Sequence, residues 1–95
     1  MDQHGFEAFR DDALSRGFDA VLVREWLPGQ VMGDHEHPFE VDAQVVRGEF
    51  WLTVDGHTRH LQAGDRFTLA AAVPHAERYG PEGATVWVAR RGLVL

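Results

Sequence analysis

Three histidines in this chain have the residue type and the spacing of metal ligands. His35 and His37 are two residues apart in the segment GDHEH, so on an extended strand both imidazoles leave the same face. Neutral imidazole nitrogen suits divalent transition metals such as zinc, copper, iron and nickel. A third imidazole has to come from elsewhere in the chain, and His75, which follows the turn at Gly64-Asp65, is the best candidate. The pattern predicts a metal site formed by three histidines, and it leaves the substrate open.

Most of the chain that must position these histidines has the pattern of β-strands. After residue 17 the apolar residues recur with a period of two, and Asp55-Gly56 is a strong hairpin signal. Further turn signals lie at residues 28–29, 63–65 and 80–83. The eight predicted strands are Ala20–Leu27, Gln30–His37 (a strand or a strand followed by a loop), Ala43–Arg47, Glu49–Val54, His57–Leu61, Arg66–Leu69, His75–Tyr79 and Thr85–Arg91. So many short strands indicate an all-β, antiparallel architecture, either closed or arranged in two sheets.

One helix is predicted before the strands. Between Phe6 and Arg16 the apolar residues fall near helical spacing, with acidic residues and arginines between them. Gly17 is a natural stop for this helix. A single short amphipathic helix cannot bury its apolar stripe alone, so it must lie across the body of the domain or across a partner subunit.

The composition is that of one soluble domain. The chain has 95 residues, of which 44% are hydrophobic and 25% charged. The formal charge of -6, with arginine as the only basic residue type besides histidine, disfavours nucleic acid or an anionic membrane surface as a partner. We expect a cytoplasmic protein, because the chain has no apolar run of membrane-spanning length and begins without the pattern of a signal peptide. A domain this small buries a modest core, so we also expect a homodimer.

The combined pattern resembles the cupin superfamily of small jelly-roll barrels. The first motif of that family is a glycine, five residues, His-x-His, a carboxylate a few residues later and a closing glycine. Gly29, His35, His37 and Gly48 occupy the matching places in this chain. Several fixed spacings agree at once, so the resemblance is far more specific than a single His-x-His.

The second cupin motif is a Gly-Asp turn, an apolar strand, and then proline and histidine. Gly64-Asp65, Pro74 and His75 match it. The resemblance covers roughly Val21 to Val88. It implies a cupin-type double-stranded β-helix at residues 18–95, preceded by a short N-terminal helix at residues 1–17.

Two positions depart from the family pattern. Cupins usually place a ligating glutamate four residues after the second histidine, where this chain has Val41. The adjacent carboxylates are Glu40 and Asp42, and a shift of one residue on a strand normally turns a side chain to the other face. Because Pro38 can interrupt the strand, we prefer Glu40 as the fourth ligand, with Asp42 or neither as the alternatives. The second motif usually closes with asparagine, where this chain has Tyr79.

These residues predict a divalent transition metal (Zn, Fe, Mn, Ni or Cu) held by His35, His37, His75 and Glu40. Glu77 shares strand parity with His75, so it could support a ligand or act as a general base. The resemblance implies a metal-dependent enzyme of oxygenase or isomerase type, acting on a small organic molecule. The alternatives are a small-molecule sensor without catalysis, and a structural remnant with an empty barrel.

Overall fold

The computed structural model describes residues 3–92, and the side chains of residues 5–92. One helix precedes the strands, α1 (Gln3–Ser15). The strands are β1 (Ala20–Trp26), β2 (Val31–His35), β3 (Glu40–Val54), β4 (His57–Gln62), β5 (Arg66–Leu69) and β6 (His75–Arg91). All strand pairs are antiparallel, which confirms the predicted all-β class with a short N-terminal helix.

The two longest strands, β3 and β6, form the centre of the fold. They pair with each other from Glu40 opposite Arg91 to Val54 opposite His75. Strands β1 and β2 add to β6, whereas β4 and β5 add to β3. Each long strand therefore serves two partners, one along each half of its length.

The strand count differs from the prediction because two predicted pairs of strands are continuous. Ala43–Arg47 and Glu49–Val54 both lie in β3, and His75–Tyr79 and Thr85–Arg91 both lie in β6. The predicted turn at residues 80–83 lies within β6, opposite irregularities of register around Gly48 in β3. Such bulges bend a strand without ending it, which explains why the sequence suggested separate strands.

The apolar side chains form two clusters on opposite faces of the sheet. The larger one lies between the strands and includes Phe50, Leu52 and Leu61. The smaller one lies under α1, where Phe9 and Ala13 pack on Trp87 of β6. The helix thus covers the outer face of β6 with its apolar stripe, as one of the two predicted placements required. This described helix has 13 residues and is neither long nor apolar enough to cross a bilayer.

Gly48 permits a close approach between β3 and the bulge of β6. Its φ is +76°, and a Cβ atom at this position would lie 2.1 Å from the carbonyl oxygen of Gly83. Gly56 in the β3–β4 hairpin has the same φ of +76°, but a Cβ atom there would meet nothing within 4 Å. A comparison of alanine substitutions at the two glycines therefore separates the free-energy cost of the backbone conformation from that of the collision.

We expect Gly48→Ala to destabilise the protein much more than Gly56→Ala. The conformation alone costs about 1–2 kcal/mol for a residue with a side chain, and the collision at Gly48 adds roughly 1–3 kcal/mol or more. Urea unfolding of the two variants measures the difference in the free energy of unfolding. Equal losses at both positions would contradict the close packing of Gly48 on Gly83.

Candidate metal centre

The structure brings the three predicted histidines together. His35 ends β2, His75 begins β6, and the two residues are antiparallel partners. The ring centroids are 4.2 Å apart for His35 and His75, 4.7 Å for His37 and His75, and 5.3 Å for His35 and His37. One ring nitrogen from each histidine lies within 4.8 Å of the other two. The arrangement is of a size that can hold one metal ion.

Backbone carbonyls fix the protonation of two of the rings. The Nδ1 atom of His35 lies 2.8 Å from the oxygen of Gly33, and Nδ1 of His75 lies 2.9 Å from the oxygen of Val73. A carbonyl oxygen only accepts hydrogen bonds, so each Nδ1 carries a proton and donates it. In the neutral ring the Nε2 atom then has a lone pair, which is the form that ligates metals.

The Nε2 atom of His75 is the strongest sign that the site takes a cation. The His75 side chain is 1% exposed, and among the described residues its Nε2 atom has no hydrogen-bond partner. A buried polar atom without a partner is costly, and native structures contain few of them. A metal ion at this lone pair satisfies it, so the residues present fit a bound metal.

His37 is neutral over a wider pH range than an ordinary histidine. Burial lowers its pKa, and the neighbouring His75 and His35 lower that pKa further. Its ring is stacked on Phe39 at a centroid distance of 4.8 Å and an angle of 4°. A ring that is neutral and held in place is suited to ligate a metal at neutral pH.

Comparison with known proteins identifies the family. The model of the cupin domain family matches residues 22–89. The chain belongs to the cupin family. Its antiparallel strands and short helix agree with the jelly-roll fold of cupins, as the sequence motifs implied.

Three relatives illustrate the range of proteins that this cupin resembles. It is 31% identical to the transcriptional regulator PuuR of Escherichia coli K12 over 58 residues, 60% of this chain and 31% of PuuR. It is 29% identical to the DMSP lyase DddQ of Ruegeria pomeroyi DSS-3, with a TM-score of 0.72, over 79% of this chain and 39% of DddQ. An RmlC-like cupin of Shewanella frigidimarina is 28% identical, with a TM-score of 0.68, over 76% of this chain and 64% of the other. The cupin therefore spans less than two fifths of the regulator and the lyase.

The carboxylate of Glu40, predicted as the fourth ligand, is held by an arginine. Arg91 donates to both of its oxygens, with distances of 2.8 Å from Nε to Oε1 and 3.2 Å from Nη2 to Oε2. These hydrogen bonds lower the pKa of Glu40. Asp42 is similarly placed between Arg16 and Arg66, at 3.0 and 3.3 Å. The structure does not bring either carboxylate into the group of three histidines.

The reason is the alternation of side chains along β3. Val41 lies between the two carboxylates and lines the cavity beside the histidines, so Glu40 and Asp42 are directed away from that cavity. Pro38 does not disturb this alternation, because it lies before β3, which begins at Glu40. The shift of one residue from the family position thus turns both carboxylates to the other face.

Glu77 is the carboxylate that the structure places beside the histidines. Its Oε2 atom lies 3.2 Å from Nε2 of His35 and 3.5 Å from Nε2 of His75. Tyr79 donates a hydrogen bond to Oε1 of the same carboxylate. The strand parity of Glu77 with His75 was the sequence signal for this position, and it agrees with the observed face.

The histidines open into a cavity of about 270 Å³. Strands β3 and β5 contribute only apolar residues to its lining, whereas the polar residues come from β1, β2, β6 and the segment after β2. The apolar residues of the lining are Leu22, Trp26, Met32, Phe39, Val41, Phe50, Leu52, Phe67, Leu69, Val86 and Val88. The polar residues are Arg24, His35, His37, His75, Glu77, Tyr79 and Arg90. The cavity is thus mostly apolar and carries a smaller group of polar side chains around the histidines.

We expect the Tyr79 hydroxyl to remain protonated well above the ordinary range in the folded, metal-free protein. Burial raises its pKa first, and the nearby Glu77 carboxylate raises that pKa further. The chain contains one tyrosine, so the ultraviolet absorbance of tyrosinate reports this residue alone. Above a pH of about 10 the unfolded chain loses the proton and the folded protein keeps it, so stability falls as pH rises. A folded protein that forms tyrosinate near pH 10 would refute this burial.

Proposed function

We propose that this cupin is a metal-dependent enzyme, of oxygenase or isomerase type, that acts on a small organic molecule in the cavity. The observation that carries the proposal is the buried Nε2 atom of His75, which has no hydrogen-bond partner among the described residues. It lies beside two further imidazoles and opens into a cavity of about 270 Å³. The similarity to the lyase DddQ supports an enzyme, because that relative is named for a lyase activity.

His35, His37 and His75 are the residues that would hold the metal. The proposed metal is a divalent transition metal (Zn, Fe, Mn, Ni or Cu), and imidazole nitrogen suits most ions of this group. A bound ion of this kind supplies Lewis-acid polarisation of a substrate oxygen.

The residues of the chain determine which molecules can react there. The mostly apolar lining of the cavity excludes water and favours an apolar substrate body. The cavity lies at the small end of the range for ligand pockets, which favours a small substrate. Tyr79 keeps its proton, so it can donate a hydrogen bond but does not act as a general base.

A sensor function without catalysis is the second candidate, and the similarity to PuuR favours it. That relative is named as a transcriptional regulator, and this chain matches 31% of its length. A cupin that only binds its ligand would use the same cavity and the same histidines.

From size and charge we further propose a cytoplasmic homodimer that does not bind nucleic acid.

We expect the purified protein to contain close to one transition-metal ion per chain, and His35→Ala to lose it. His35 is one of the three histidines, and its side chain lines the cavity. Its replacement by alanine removes one metal ligand, and we expect the fold to be retained. His57→Ala is the matched control, because His57 is exposed in the β3–β4 hairpin. Elemental analysis of protein purified without a histidine tag measures the occupancy.

Full metal occupancy in His35→Ala would refute the assignment of this ligand. If the native protein takes up no metal even after reconstitution, the enzyme proposal fails. A melting temperature that chelators leave unchanged would point instead to an empty barrel. Turnover of a panel of small organic substrates separates the enzyme from the sensor, which would show thermal stabilisation by a ligand without turnover.

A further inference from the structure

We propose that Glu77 is a fourth protein ligand to the metal and that Tyr79 positions its carboxylate. This inference rests on the metal site proposed above and deepens it. It moves the carboxylate of the site from β3, where cupins usually carry it, to β6 of this chain.

The first support is the position of Glu77 on β6. His75, Glu77 and Tyr79 alternate along the strand and all line the cavity. Glu77 is also the antiparallel partner of Met32 on β2, the strand that ends in His35. Its side chain is 11% exposed. Glu77 is the only carboxylate that the described part of the chain contributes to the cavity lining.

The second support is the chemistry of the facing atoms. In the neutral rings the Nε2 atoms of His35 and His75 carry lone pairs, because their Nδ1 atoms donate to backbone carbonyls. The Oε2 atom of Glu77 is also an acceptor, yet it lies 3.2 and 3.5 Å from these two nitrogens. Three acceptors this close need a shared positive charge. Ligands about 2.0–2.2 Å from one tetrahedral ion are roughly 3.3–3.5 Å apart, which matches these distances.

The third support is the way in which Tyr79 fixes the carboxylate. Its hydroxyl donates to Oε1 of Glu77, so the other oxygen, Oε2, faces the imidazoles. The Tyr79 ring is stacked between Trp26 and Phe50, with centroid distances of 4.9 Å to each. The tyrosine is 3% exposed. A buried ring held on both faces cannot easily turn its hydroxyl away from the carboxylate.

We expect Glu77→Gln to weaken metal affinity more than about 100-fold, because loss of a mere supporting residue typically costs about 10–100-fold. Glu40→Gln is the matched control and should leave the affinity unchanged, since Arg91 holds that carboxylate outside the site. Tyr79→Phe should weaken affinity by about 10–100-fold as a positioning residue. Competition with a chromophoric chelator for Zn²⁺ measures each affinity, and the visible spectrum of the Co²⁺ protein reports its coordination.

The outcomes distinguish this inference from the proposed function. If the native protein binds neither Zn²⁺ nor Co²⁺, both fall. If the native protein binds metal and Glu77→Gln binds it within about 100-fold as tightly, the loss is that of a supporting residue at most, and only the Glu77 assignment falls. An unchanged Co²⁺ spectrum in Glu77→Gln also overturns it, whatever the affinity. Far-ultraviolet circular dichroism of the metal-free variants confirms that each is folded.

A separate observation concerns the substrate, and from it we infer that the cavity binds a small organic anion, with a carboxylate as the simplest case. Arg24 on β1 and Arg90 on β6 both line the cavity. Among the described residues neither forms an ion pair, and the buried Nε atom of Arg90 lacks a hydrogen-bond partner. Five of the other seven arginines pair with carboxylates, namely Arg10, Arg16, Arg47, Arg66 and Arg91, and the remaining two do not line the cavity.

Aromatic rings hold both guanidinium groups at the cavity. Cζ of Arg24 lies 4.8 Å from the ring centroid of Trp26, and Cζ of Arg90 lies 4.9 Å from that of Phe39. A chain with a net charge of -6 thus keeps two cations beside the metal site without a carboxylate partner in its described part. Arginine is the residue type that best binds a planar carboxylate.

Hexanoate and hexanamide provide a probe pair that differs chiefly in charge. We expect the metal-loaded protein to bind hexanoate roughly tenfold or more tightly, as charge-assisted hydrogen bonds predict. The double variant Arg24→Gln/Arg90→Gln should lose this preference. Arg59→Gln on β4, away from the cavity, should keep it. Isothermal titration calorimetry measures the affinities.

Equal affinity for the two probes, absence of binding, or a preference that survives in the double variant would each overturn the anion assignment. The readout is binding rather than turnover. A failure here therefore leaves the metal site and the enzyme proposal standing.

Discussion

The antiparallel pairing of β3 with β6 is the constraint on which the rest of the structure depends. Each strand bends where the register shifts around Gly48, and each then continues beside a different partner. Residues 84–90 of β6 pair with β1, and residues 75–78 pair with β2. The eight predicted strands are therefore present as the halves of two long strands and four short ones. Because β2 ends where β6 begins, the pairing of β2 with β6 sets His35 beside His75.

The acidic residues near the first cupin motif form ion pairs that connect the helix and the strands. Asp42 binds Arg16 at the end of α1, and Glu40 binds Arg91 at the end of β6. Arg91 also donates to the backbone oxygen of Arg16. These contacts connect the helix, β3 and β6 on the face away from the cavity. The position that would point inward, Val41, is apolar.

Local patterns predicted well the features that depend on neighbouring residues. The Asp55-Gly56 hairpin has positive φ at both residues, as such a turn requires. His35 and His37 lie together as their spacing indicated, although β2 ends at His35 and His37 lies in the segment that follows. The outward direction of Glu40 follows from the alternation along β3, but its partner could not be derived in this way, because Arg91 is 51 residues later in the chain. The place of residues 80–83 within β6 could likewise not be derived locally, because it depends on the register between β6 and β3 around Gly48. The local sequence does not determine the register between strands that are far apart in the chain.

The apolar surface that β3 presents to the cavity follows from the same arrangement of charge. With Val41 in place of a carboxylate, β3 presents only apolar side chains to the cavity, and β5 continues that surface with Phe67 and Leu69. The polar groups lie on the neighbouring strands, where Glu77 of β6 is the antiparallel partner of Leu52 in β3. A ligand in this cavity gains by placing its apolar body against the apolar lining and its polar end toward Glu77 and the histidines. Because the inward position on β3 is apolar, Glu77 is the carboxylate that the described part of the chain contributes to the lining.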